Sequence, residues 1–325
     1  TTLTALEAEA ATAPLAALDH GLRLLALHCH NNATPVPILK YLTLNTTEAN
    51  LYFEQDTNLP APFQSTSDAN LWTLPLTSMD IEEPLDLPAP YPALITIGDD
   101  REGAALMLNL EHAGSLQLHD PLQEKTATNT ISQMLGSIAA ELLLNPWAEG
   151  LHLSLLGVDD SFLTALSADR VTTYTAEQTE ACLNDLTAEA NQLKDYLNTA
   201  GYTSVHEARM AGADSFPAHI VIVSDTIDDM ARFDLLELVR TMPNVAIAII
   251  SHNDTDEDTS RYGLNIVRTP HGSLSDTMVE LSPMGIVVVP RYLTEEEEEA
   301  VLTLLAEASA DPTPAPAEVL HLPEA

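Results

Sequence analysis

The chain has 325 residues, enough to bury a large core and to divide into a main domain and a smaller one. Its 12 Lys and Arg against 49 Asp and Glu leave a formal net charge of -37, and no basic cluster stands ready to neutralise phosphates, which argues against direct nucleic-acid contact. No run approaches the roughly 18 apolar residues of a membrane span, no basic-then-apolar leader is present, and Cys29 and Cys182 lack CxxC partners, so the expectation is a soluble region in a reducing compartment.

Residues 13–30 carry Leu15, Leu18, Leu22, Leu25 and Ala26 at three- and four-residue spacing, which predicts an amphipathic helix. His28, Cys29 and His30 sit on it, but neighbours about 100° apart do not converge on one metal ion, and no metal is expected. Short apolar runs at 38–44, 51–53 and 71–74 then predict strands, which makes residues 1–79 a small α+β domain. Prolines crowd residues 80–92, the expected linker.

The main domain is expected over 93–308. It opens with two strands, 93–98 and 104–110, joined by the charged turn DDREG as a hairpin requires. A strand at 116–118, a helix carrying Ile131, Met134, Leu135, Ile138 and Leu142, and a strand at 151–157 follow as a β-α-β unit. A helix at 176–199, a strand at 220–223, a helix at 233–239, strands at 245–250 and 285–289, and a helix at 295–307 continue the rhythm. The class is therefore α/β, with five of these strands expected in one mainly parallel sheet, ahead of a Pro-rich tail at 309–325.

Ligands in such sheets bind at the carboxyl ends of the strands. At the first of them HDPLQEKT, residues 119–126, places Lys125 and Thr126 in the register of a phosphate loop's GK[ST] ending. His119 and Glu124 occupy the two glycine positions, where only glycine lets backbone N–H groups close around phosphate oxygens. HIVIVSD ends a second strand in Asp225, a position from which a carboxylate can hold Mg²⁺, although the same letters also serve helix capping by Thr226 or Asp228. Asp159 and Ser251 end two more strands, so His119, Lys125, Thr126, Asp159, Asp225 and Ser251 form the candidate vestigial nucleotide site, with no catalytic residue among them. Asp254, Asp256 and Asp258 have the spacing of a calcium loop, but Thr259 and Asn265 stand where its glycine and bidentate glutamate belong.

Three strings, YPALITIGDDREGAALMLNLEHAGSLQLHDP, ELLLNPWAEGLHLSLLG and AHIVIVSD, resemble the cytoplasmic region of actinomycete-type membrane proteins carrying a LysM module upstream and a bacterial transcriptional activator domain downstream. The sheet is also similar to the FtsK/SpoIIIE-type translocase fold. That resemblance implies a degenerate, P-loop-NTPase-like region lacking a working Walker A, on the cytoplasmic side of a membrane-anchored protein. It implies a non-catalytic scaffold or sensor with no cofactor, neighbouring domains of its own full-length chain as partners, and membrane association only through other segments. The alternative is a nucleotide-binding domain or ATPase with an atypical phosphate loop.

Overall fold

The computed structural model describes residues 2–77, 87–119, 125–158, 169–212, 216–253, 263–268 and 278–292, together with 296, 297, 300 and 303. In chain order the elements are α1 (Thr2–Asn31), β1 (Leu39–Leu44), β2 (Glu48–Phe53), β3 (Gln64–Ser65), β4 (Leu71–Pro75), β5 (Leu94–Asp99), β6 (Ala105–Asn109), α2 (Leu110–Ala113), β7 (Ser115–His119), α3 (Lys125–Leu144), β8 (His152–Leu156) and β9 (Val171–Tyr174). There follow α4 (Thr179–Ala200), α5 (Val205–Met210), β10 (His219–Val223), α6 (Asp229–Thr241), β11 (Ile247–Asn253), β12 (Leu264–Arg268), β13 (Val279–Ser282) and β14 (Ile286–Pro290).

All the strands join one sheet in the order β3-β4-β2-β1-β6-β5-β14-β13-β12-β7-β11-β10-β8-β9. The last six, β12 to β9, run parallel to one another. The others pair antiparallel. The sheet is thus mixed rather than mainly parallel, and the departure has a local cause. Between Ser282 and Ile286 the chain turns in three residues, with Gly285 at φ +71°, far short of a parallel crossover. Residues 285–289 therefore leave the expected parallel set and form a hairpin with β13, whose other edge meets β12.

Strand composition follows burial. The central parallel strands are covered on both faces and read as continuous apolar runs, as in HIVIV of β10, buried at every residue. One face, carrying Leu116, Leu118, Leu153, Ile220 and Ile250, packs against Met134, Ile138, Ala139 and Leu142 of α3. The other, carrying Leu156, Val221, Val223 and Ile249, packs against Cys182 and Leu186 of α4 and Leu235 and Leu236 of α6. β2 and β4 instead alternate buried and half-buried residues, burying one side against Leu18, Leu22 and Leu25 of α1.

The strands on either side of the expected linker belong to the same sheet, because β1 pairs with β6 from Tyr41↔Leu108 to Leu44↔Ala105. The apolar cluster under α1 likewise takes in Tyr91, Leu94, Met107 and Trp147 from beyond residue 92. Residues 80–86 of that linker, the tail 309–325 and most of the expected helix at 295–307 lie outside the described residues. Edge strand β9 and strands β12 and β13 escape the sequence reading because each is four or five residues long with at least two polar positions.

Candidate functional site

Four parallel strands end along one edge, β7 and β11 reaching two residues beyond β8 and β10. Val223 of β10 lies opposite Leu156 of β8 on one side and Ser251 of β11 on the other, while Asn253 of β11 lies opposite His119 of β7. Asp225 follows Val223 by two residues and comes off the same edge as His119. α3 begins at Lys125, so Lys125 and Thr126 open the helix that follows β7, with their backbone donors at its positive end. The side chains of His119, Lys125 and Thr126, the loop 120–124 and Asp159 lie outside the described residues, as do Asp254, Asp256 and Asp258.

Asp225 and Ser251 differ sharply in surroundings. The Asp225 side chain is 49% exposed; one carboxylate oxygen accepts from Ser224 Oγ at 3.0 Å and the other lies 3.8 Å from Nδ1 of the buried His252. Its neighbour Asp228 caps α6, accepting from the Met230 N–H at 2.9 Å, which leaves Asp225 out of the capping role. Ser251 is fully buried, and its Oγ has no hydrogen-bond partner among the described residues. Ser251 shares the α4/α6 face with Val223, whereas His252 takes the α3 face beside Leu118. Close approach of two exit loops holds this edge together: a Cβ on Gly157, at φ +69°, would meet Thr226 Oγ1 and Ile227 Cδ1 at 2.9 Å.

A second polar cluster lies at the opposite, amino-terminal end of the same strands, and the sequence reading does not contain it. His219 opens β10; its Nε2 lies 2.8 Å from Ser154 Oγ of β8 and its Nδ1 2.7 Å from Glu189 Oε2 of α4. The ring of His152 stands edge-on to that of His219, with centroids 4.8 Å apart, and its Nε2 lies 2.9 Å from Thr172 Oγ1. Burial, together with the neighbouring His219, holds His152 below the ordinary histidine range. The Tyr174 phenol donates to Asp185 Oδ2 at 3.0 Å, and burial with that bond pushes it up to about 12. All of these groups but Thr172 line a cavity of about 550 Å³. No sequence signal marks them, since Ser154, Glu189 and His219 are spread over 65 residues and meet only through the β8/β10 register.

Among the described residues no group of His, Cys, Asp and Glu side chains is arranged to hold a metal ion. On α1 Cys29 is buried while His28 and His30 face outward, so the three diverge. No described helix is long and apolar enough to cross a membrane.

No family model matches the chain, and no curated protein matches it. Solved structures do. EssC (ATPases 2 and 3) from Geobacillus thermodenitrificans matches at TM-score 0.51 and 14% identity over 70% of this chain and 50% of that one. The monomer form of the pCW3 conjugation coupling protein TcpA with ATPγS matches at TM-score 0.47 and 12% identity, covering 88% of this chain and 99% of that one. The cytoplasmic domain of the type VII secretion ATPase EccC from Thermomonospora curvata matches at 0.49 and 16%, over 70% and 32%. The chain thus spans half the length of the EssC chain. At such identity the likeness to EssC establishes the fold alone, a P-loop-NTPase-like α/β sheet.

Proposed function

We propose that the chain is a nucleotide-binding domain on the fold of the secretion ATPases, with an atypical phosphate loop between β7 and α3. The observation that carries this reading is the shared edge on which β7, β11 and β10 end, with α3 starting six residues beyond His119 and the half-exposed Asp225 carboxylate two strands away. In phosphoryl-transfer sites a loop before a helix cradles the phosphates, and a carboxylate at the end of a nearby strand holds Mg²⁺. Lys125 and Thr126 occupy the loop end by sequence register, and the Asp225 side chain is half exposed, with Asp228 rather than Asp225 capping α6. The orphaned Ser251 hydroxyl two residues before Asn253 gives that edge a polar group with capacity to spare. Mg²⁺ would supply charge neutralisation between phosphate oxygens; the chain's own part is to hold the anion at the start of α3 and the cation at Asp225.

His119 and Glu124 in place of the loop glycines favour a second reading, the non-catalytic scaffold or sensor in the cytoplasmic part of a membrane-anchored regulatory protein. In that reading the partners are neighbouring domains of a longer chain, and the membrane and LysM or activator modules lie in other segments. Calorimetric titration with Mg-ATP and Mg-GTP separates the two. Binding in the micromolar to low millimolar range that disappears in both Lys125→Ala and Asp225→Ala supports the nucleotide site. No heat at about 1 mM nucleotide in a folded protein leaves the scaffold reading.

A further inference from the structure

The amino-terminal edge of the parallel strands carries a second arrangement with a chemistry of its own, independent of the nucleotide reading. β10 runs from His219 to Val223, so the two edges lie about 13 Å apart along it. Ser154, His219 and Glu189 come from β8, β10 and α4, three elements brought together by tertiary packing. An ionised carboxylate only accepts hydrogen bonds, so Glu189 requires the proton on Nδ1 of His219, which leaves Nε2 as the acceptor for the Ser154 hydroxyl 2.8 Å away. Nucleophile, base and orienting carboxylate thus stand in sequence at 2.8 and 2.7 Å. All three line the 550 Å³ cavity.

We propose that this cavity is an esterase-type site in which Ser154 is the nucleophile, His219 the general base and Glu189 its orienting carboxylate, acting on carboxylic esters with short acyl groups and neutral or cationic alcohols. The acyl limit follows from burial: Ser154 is 1% exposed and His219 7%, so the hydroxyl lies on the cavity floor. The charge preference follows from the walls, where Asp169, Asp185 and Glu189 oppose an anionic substrate. The single lining guanidinium, Arg170, is engaged with the carbonyls of Ala148 and Leu143.

In the first half-reaction Ser154 Oγ forms a bond to the ester carbonyl carbon while its proton passes to Nε2 of His219. The carbon–oxygen bond to the alcohol then breaks, and the departing alkoxide takes the proton from Nε2. Water next attacks the acyl carbon, gives its proton to Nε2, and the acyl–Oγ bond breaks as Ser154 recovers the proton and the carboxylic acid leaves. Burial lowers the pKa of His152, which disfavours a second positive charge beside the base.

The test begins with the full wild-type chain, so it does not depend on any variant folding. A fluorophosphonate probe is expected to modify Ser154, located by mass spectrometry of the peptide carrying residues 152–156. 4-Nitrophenyl acetate is expected to turn over faster than the octanoate ester, and a choline ester faster than a hemisuccinate. Glu189→Gln, on a side chain 36% exposed, should keep the circular-dichroism spectrum and lower labelling and turnover by about 100-fold. An unlabelled Ser154 in folded wild-type protein, with acetate hydrolysis no faster than in Ser154→Ala, overturns the proposal. Labelling equal in wild type and Glu189→Gln overturns the role given to the carboxylate.

Discussion

Arg209 grips Glu111 at two points: Nη2 lies 2.7 Å from Oε1 and Nη1 3.1 Å from Oε2, with both side chains more than nine-tenths buried. The pair ties α2, which follows the hairpin strands, to α5, which precedes β10, and Arg209 also donates from Nε to the Phe216 carbonyl at 3.0 Å. Removing one member strands the other charge away from water. Glu111→Ala should therefore cost about 3–5 kcal/mol in chemical denaturation. Replacing both by apolar residues of similar volume should cost much less, and a double variant as unstable as the single one would contradict the burial argument.

A Cβ on Gly98 would stand 2.3 Å from the Val289 carbonyl oxygen, inside the only ladder that links β14 to β5 among the described residues. Gly98→Ala must push those backbones apart. The expected loss is about 1–3 kcal/mol, with hydrogen exchange accelerated at β5 and β14 and unchanged in β10. Gly103→Ala, which meets no atom within 4 Å but holds φ +84°, tests strain without a clash.

Burial raises the Glu141 carboxyl, against the opposing effect of its bonds from the Thr96 N–H and hydroxyl at 2.9 and 2.7 Å. Because the folded-state value lies above the unfolded 4.5, the folded chain binds more protons between the two, and stability contributed by this group falls as pH rises through that window. Glu141→Gln removes the titrating group. Wild type should gain on the variant as pH is lowered from 7 toward 4.5, measured as the difference in urea midpoint; a difference independent of pH would contradict the raised value.

Duplex DNA should not be retarded by the chain at about 150 mM salt, since a net charge of -37 opposes phosphate contact. Micromolar binding that weakens steeply with added salt would reveal a basic surface that the composition does not contain.

Sequence alone determined the elements whose patterns are long or unmistakable. The apolar runs of β10 and β11 read as strands buried on two faces, and the charged DDREG turn between two apolar segments reads as a hairpin, because run length, flanking breakers and turn chemistry carry that information. The carboxyl-terminal edge was legible for the same reason, since a polar residue ending a buried run marks where the chain leaves the sheet. Tertiary structure decided what depends on register and pairing partner. It joined β1 to β6 across the Pro-rich segment and turned residues 285–289 into an antiparallel hairpin. It also placed Ser154, His219 and Glu189 in one line, a contact between residues 30 and 65 positions apart that no local pattern encodes.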